Sequence, residues 1–227
     1  MCPFCYIGKQ HLETALKQFN DADAVDLEWK SFQLDPSVPR NPEYRNTYQY
    51  LAERKGMSYD EAKQMTAGVV QAGAQAGVTL DFEQAIVANS FDAHRLVHLA
   101  QTKGLASELK AALFRAHFTD GKDINDRETL IELAKGVSLA ETTVIAVLDS
   151  DQYSDEVAQD IREAREVGVR GVPFFVFNRK YAISGAQPPE AFLQTLEKSF
   201  AEWRAENPKA TFTVTEGPTC SPDGRCD

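Results

Sequence analysis

Positive charge is in deficit in this sequence. Its 24 lysines and arginines face 34 aspartates and glutamates, for a net charge of −10 and a pI of about 5.0. That balance argues against a nucleic-acid phosphate backbone as the main partner. Long apolar runs are missing too. The densest, Val172-Pro173-Phe174-Phe175-Val176-Phe177, falls far short of the roughly 20 residues that cross a bilayer as a helix. The first residues lack a basic stretch followed by an apolar one, so no secretory signal is visible and a cytoplasmic location is expected. Cysteine is scarce, with four in 227 residues. In a reducing compartment so few thiols read as redox-active or metal-binding rather than as a disulfide framework. No internal repeat or low-complexity segment interrupts residues 41–168.

What is present suffices for a core: 43% of the residues are hydrophobic, enough for one large domain or two small ones. Residues 2–20 read as a helix, with Pro3 at the first helical position, where its missing N–H costs nothing. Cys2 then falls at the N-cap, at an exposed tip, while Cys5 joins the inward stripe of Leu12, Ala15, Leu16 and Phe19. Residues 25–34 alternate as a half-buried strand does, losing phase near Ser31, where a bulge or strand end is expected. From about 41 to 168 the pattern is helical, with five to seven helices. Ser58 with Glu61 and Ser138 with Glu141 are capping-box candidates, and Gly77, Gly104, Gly136 and Gly168 are candidate stops. A hairpin follows: a strand at 172–177, a turn at Asn178-Arg179-Lys180, and a strand at 181–185. Pro188-Pro189-Glu190 opens a final amphipathic helix through Trp203, and the tail from Pro208 is expected to be loosely held.

The chemistry concentrates at Cys2-Pro3-Phe4-Cys5. A helix N-terminus presents free N–H groups and the positive end of the dipole, which favour a thiolate at Cys2. A thiolate of lowered pKa both attacks disulfides and leaves from them readily. Cys5, one turn on, can close the intramolecular disulfide. Pro3 and Phe4 carry no charge, which leaves the dipole as the expected tuning element. The same spacing also suits a zinc knuckle or two inert core thiols, although Tyr6-Ile7-Gly8 runs on into a helical pattern rather than a tight turn. His94 and His98 share a helix face, but no carboxylate-rich metal pattern accompanies them, and a structural role is expected.

Four segments together resemble the DsbA family, in particular its FrnE-type members. They are Cys2-Pro3-Phe4-Cys5-Tyr6-Ile7-Gly8-Lys9, Asn89-Ser90-Phe91-Asp92-Ala93-His94-Arg95-Leu96, Phe118-Thr119-Asp120-Gly121-Lys122-Asp123-Ile124 and Gly171-Val172-Pro173-Phe174-Phe175-Val176-Phe177. The resemblance implies an α/β protein: a thioredoxin-like sheet with a large all-helical insertion. The thioredoxin-like part is expected at 1–40 and 169–206, the insertion at 41–168, and a cysteine-bearing tail at 207–227. It implies a dithiol–disulfide oxidoreductase with Cys2 and Cys5 as reacting thiols, and with Pro3, Phe4, Val172 and Pro173 lining the substrate. It also implies a cis peptide at Val172-Pro173, where the residues alone allow an edge-strand proline in trans. Expected partners are protein or low-molecular-weight thiols and disulfides, glutathione among them. No cofactor, metal, nucleic acid or membrane is expected, and the oligomeric state is left open.

Two departures from the family pattern stand out. A thioredoxin fold places a strand immediately upstream of the reactive cysteine, so the sequence is expected to be short at its N-terminus, leaving residues 27–34 without their usual neighbour. In the tail, Cys220 and Cys226 are separated by five residues where the family pattern has four. They read either as an auxiliary redox pair that exchanges with Cys2 and Cys5 or as passive thiols. Two other functions compete. One is a glutathione-dependent enzyme of the kappa transferase or chromene-carboxylate isomerase type, which the 89–96 segment also resembles but which characteristically carries serine at the Cys2 position. The other is a zinc module built from Cys2, Cys5, Cys220 and Cys226.

Overall fold

The computed structural model describes residues 1–39 and 46–208. Helix α1 spans Pro3–Gln18 and, after a 3₁₀ turn at Ala22–Ala24, runs into an extended segment. Seven helices follow: α2 Thr47–Lys55, α3 Tyr59–Gln75, α4 Phe91–Gln101, α5 Ala106–Phe118, α6 Arg127–Gly136, α7 Glu141–Leu148 and α8 Ser154–Glu166. Strands β1 Phe174–Phe177 and β2 Tyr181–Ser184 form an antiparallel hairpin, and α9 Pro189–Glu206 closes the described chain. The fold is thioredoxin-like with a helical insertion. Its hydrogen-bonded sheet, among the described residues, is the single hairpin.

Local chemistry explains most element boundaries. Ser58 and Glu61 form a reciprocal capping box at the start of α3, and Asn46 and Asp126 cap α2 and α6 with their side chains. The hairpin turn places Asn178 and Arg179 at φ 47° and 57°, the left-handed pair that matches strand twist. The second expected capping box is not made. Ser138 takes φ 70° and α7 begins at Glu141 behind Ala140. Gly136 stays helical as the last residue of α6, so the left-handed step falls on Ser138 instead.

The larger difference lies at residues 25–34, which are extended but make no strand ladder. Two of their backbone donors are met by side chains of the helical region. Gln101 accepts from the Trp29 N–H at 2.9 Å and Asp160 from the Ser31 N–H at 2.7 Å, while Asn89 donates to the Val38 carbonyl at 2.6 Å. A sheet donor must find a partner somewhere, and here α4 and α8 supply it. Lys30 at 3.2 Å and His98 at 3.1 Å complete the shell around the buried Asp160 carboxylate.

Three cores organise the described residues. One lies within the helical region, around Leu96, Leu109, Leu113, Leu130, Val144 and Val147. A second packs the inner face of α1 against α9 and the hairpin through Leu12, Phe19, Ile183, Phe192 and Leu196. The third is the seam between them, where Ile7 meets Tyr48, Phe82, Phe114 and Phe118. Tyr6 stacks on Phe114 across that seam with ring centroids 5.2 Å apart. The seam therefore presses α5 against the first turns of α1.

Candidate active site

Cys2 is the N-cap of α1, in an extended conformation with φ −109° and ψ 122°, and Pro3 takes the first helical position. The N-cap side chain makes no capping bond, which leaves the sulfur free to face the hairpin. Its partner there is the carbonyl of Val172, to which the Cys2 thiol donates at 3.5 Å. The next peptide, Val172-Pro173, is cis, and the Pro173 carbonyl accepts from the Gly185 N–H at 2.8 Å, anchoring this corner to the end of β2. Pro173 itself is buried. The residues that carry the resemblance at the two ends of the sequence thus meet.

The approach depends on Gly8. A side chain there would meet the Phe175 ring at 3.1 Å and Pro173 Cγ at 3.2 Å, so α1 sits as close to the hairpin as a bare backbone allows. Phe4 is the most exposed residue of the motif, at 44%. Cys2, expected at an exposed tip, is half-buried, as is Cys5; both are free thiols. The difference arises because the hairpin corner covers the helix tip.

The two sulfurs are electrostatically unequal. The Cys5 thiol donates to Cys2 and holds its pKa at about 7. Burial opposes this, and the N–H groups of Cys5 and Phe4 reinforce it. The same hydrogen bond, with burial, pushes Cys5 upward. Cys2 is therefore the group that ionises near neutral pH, and Cys5 holds the proton. This division of labour suits a nucleophile followed by a resolving thiol.

A cation missed by the sequence reading faces this pair. Lys110 on α5 is buried, and its charge acts on both Cys5 and Cys2. Its ammonium lies over the rings of Phe114 and Trp29, 5.5 and 5.7 Å from their centroids. The helix dipole, expected as the main tuning element, is thus joined by a buried cation. A signal was present: Lys110 occupies the apolar stripe of α5 with Ala106, Leu109, Leu113 and Phe114, all buried. A lysine in a core register is rare enough to single out.

The remaining signature residues build the frame. Arg95 is buried and donates to Asp92, to the Gln152 carbonyl at 2.9 Å and to the carbonyls of Val147 and Ser150, clamping the α7–α8 connection. His94 is buried and neutral, its pKa pushed well below the usual range by burial and by Lys110. His98 meets Ser31 Oγ and Asp160 through the same ring nitrogen, each at 3.1 Å. A relay through the ring needs both nitrogens, so this trio is a structural tie rather than a Ser-His-Asp triad. His11 contacts the Gln187 carbonyl at 2.7 Å. In the 118–124 segment the Phe118 carbonyl accepts from the Asp81 N–H at 2.7 Å and Thr119 donates to the Thr79 carbonyl at 2.8 Å, joining α5 to the loop before α4. Among the described residues no group of three or more His, Cys, Asp or Glu is placed to hold a metal, and no helix is long and apolar enough to cross a membrane. Cys220 and Cys226 lie outside the described residues.

Comparison with known proteins follows the same lines. The description "DSBA-like thioredoxin domain" matches residues 1–197. The crystal structure of a probable DsbA oxidoreductase, SCO1869 from Streptomyces coelicolor, is 36% identical, superposes with a TM-score of 0.82, and covers 100% of this chain and 94% of its own. Two more distant structures share the fold. The cytosolic disulfide reductase DsbM from Pseudomonas aeruginosa is 18% identical, with a TM-score of 0.63 over 89% of this chain and 95% of its own. A 2-hydroxychromene-2-carboxylate isomerase is 14% identical, with a TM-score of 0.61 over 92% of this chain and 95% of its own.

Proposed function

Because the chain belongs to the DSBA-like thioredoxin domain family, we propose that it is a dithiol–disulfide oxidoreductase working through Cys2 and Cys5. The observation that carries the reading is the meeting of three groups at one point: Cys2 at the helix N-cap, Cys5 one turn on and hydrogen bonded to it, and the Val172 carbonyl at 3.5 Å on the cis-proline corner. In the reductive direction the Cys2 thiolate attacks one sulfur of a substrate disulfide. A Cys2–substrate mixed disulfide forms and the other substrate sulfur leaves as thiolate. Cys5 then attacks Cys2, closing the intramolecular disulfide and releasing the second thiolate; oxidation of a substrate dithiol is the reverse. Once Cys2 is ionised it no longer donates to Val172, and that carbonyl can accept from an extended substrate backbone. Pro3 and Phe4 line the approach, and the exposed Phe4 ring offers an apolar contact beside the sulfur.

The division into 1–40 with 169–206 against 41–168 is, in this reading, one between reacting groups and a covering insertion. Substrates are protein or small thiols and disulfides. Glutathione is included on the strength of the fold shared with DsbM, which has also been solved with GSH, and a cytosolic setting rests on the same likeness. The isomerase alternative draws on fold alone, and the thiol pair at the position of its serine favours exchange.

The test is turnover in insulin reduction and in oxidation of a reduced protein substrate. Cys2→Ser should abolish both, and Cys5→Ser should accumulate a mixed disulfide visible by mass spectrometry. A Cys2→Ser protein that retains wild-type turnover would end this reading.

A further inference from the structure

Among the described residues Lys110 has no carboxylate partner. Among the described residues no Asp or Glu lies in ion-pair range of its amine, and no hydrogen-bond acceptor meets it; two aromatic faces lie under it, with ring centroids at 5.5 and 5.7 Å. Burying an unpaired ammonium is costly, and a lysine in such a place readily gives up its proton. Its ammonium lies over Phe114, which stacks on Tyr6 beside Cys5, and the titratable groups whose charge reaches it are Cys5 and Cys2 at the start of α1 and His94 from α4. His94 is neutral. Among the described residues, the negative charge that acts on Lys110 is that of the cysteines when they are reduced and ionised.

We propose that Lys110 takes up the second proton when the Cys2–Cys5 disulfide is reduced, leaving a Cys2 thiolate beside a Lys110 ammonium, and returns that proton on re-oxidation. The step balances without a further reactant. A substrate dithiol gives two electrons and two protons. The electrons cleave the Cys2–Cys5 bond, one proton stays on the Cys5 sulfur and the other on the Lys110 amine, while the substrate leaves as a disulfide. Neither side of the equation changes net charge. The directions of the shifts agree: burial pulls the Lys110 ammonium down, and Cys5 and Cys2 pull it back up. The proton thus follows the electron pair onto a buried amine.

This inference rests on the exchange reading and is tested by the pH dependence of the equilibrium with dithiothreitol, which itself gives up two protons per pair. With Lys110 as acceptor, the ratio of reduced to oxidised enzyme at fixed dithiothreitol poise should stay flat from pH 7.5 to 8.5. Lys110→Met loses the acceptor and Lys110→Arg cannot release a proton, so in both variants one proton goes to solvent. Their ratios should climb about tenfold over that pH unit by linkage. Lys110→Arg, keeping the charge, should favour the reduced form more than Lys110→Met at every pH. A wild-type ratio that climbs tenfold overturns the proposal while leaving exchange intact. A flat profile retained by Lys110→Met also overturns it, placing the proton elsewhere. The wild-type slope decides even if a variant fails to fold. A wild-type protein that reaches no dithiol–disulfide equilibrium at all would instead remove the exchange reading beneath it.

Discussion

Arg95 and Lys110 are both buried cations of the helical region, at 3% and 7% exposure, yet the structure treats them in opposite ways. At the corner where α4 meets the α7–α8 connection, the Arg95 guanidinium is ringed by Asp92 and three carbonyls. At the seam where α5 meets α1, Lys110 has two ring faces and the cysteine pair. A planar fork matched on each of its three nitrogens is rigid, and its job is to hold a loop. A single ammonium left without a matched anion has a charge state that follows its surroundings. Burial of charge marks structure where every donor is met and chemistry where it is not.

The sharpest way to break that contrast is by substitution at each end. Arg95→Ala removes the guanidinium that ties Asp92 to the carbonyls of Val147, Ser150 and Gln152 and should cost about 3–5 kcal/mol. That is roughly 10 °C in melting temperature for a chain of this length. Alkylation of Cys2 in the molecules still folded should be unchanged. Lys110→Met should instead leave the melting temperature equal or higher, since an apolar group of similar volume replaces a buried charge. If the two lose stability alike, as read by differential scanning calorimetry, the distinction drawn between them fails.

Asp160 lies between these extremes, because it substitutes for a missing ladder partner. Burial works against its carboxylate, but His98, the Ser31 N–H and Lys30 outweigh that and hold its pKa below the usual range. Asp160→Ala should cost about 1–3 kcal/mol at pH 7 by leaving the Ser31 N–H unpaired. A carboxyl with a depressed folded pKa stabilises above its unfolded pKa and ceases to as pH falls through the folded one. The difference between variant and wild type should therefore shrink below about pH 4. Urea denaturation at pH 7 and pH 3 measures both arms.

Cys2 offers the same logic at higher pH. Its folded pKa is lowered to about 7 from the ordinary 9.0. In the reduced protein its stabilising contribution is complete above about pH 9 and disappears as pH falls through 7. The reduced protein, relative to Cys2→Ser, should gain ~1–2 kcal/mol between pH 7 and 9 after allowance for the sulfur's partial exposure. Iodoacetamide labelling of Cys2 should show a midpoint near pH 7, and one near 9 would contradict the thiolate assignment.

The smallest effect is expected at Gly8. Alanine there gains about 1 kcal/mol of helix propensity but presses on Phe175 and Pro173, an overpacking that costs about 1–3 kcal/mol. Net stability should change by less than about 2 kcal/mol, while turnover falls because α1 is pushed off the Val172 corner. Unchanged turnover would show that the 3.5 Å contact between Cys2 and Val172 tolerates the shift.

How much of this was legible beforehand follows the reach of each interaction. The Cys2 N-cap, Pro3 at the first helical position, the Ser58–Glu61 box and the Asn178–Arg179 turn are rules of a few adjacent residues, and each could be read directly. The cis peptide came from resemblance, since the residues alone allow trans. Residues 25–34 carry the alternation of a strand, but a ladder needs a second backbone. Alternation records which faces are buried and not what bonds the edges, so Gln101 and Asp160 in that role were invisible.

The sequence by itself determined where a thiolate would form, because helix ends and cysteine spacing act over one turn, and it determined the helical character of the middle of the chain through its periodicity. Only the tertiary structure decided what surrounds that thiolate. Gly8 meets Phe175 across nearly the whole chain, the Val172 carbonyl comes to Cys2, and α5 brings Lys110 over Phe114, which stacks on Tyr6 beside Cys5. Electrostatic coupling and close packing depend on distance in space, and no local pattern encodes which distant residue will arrive.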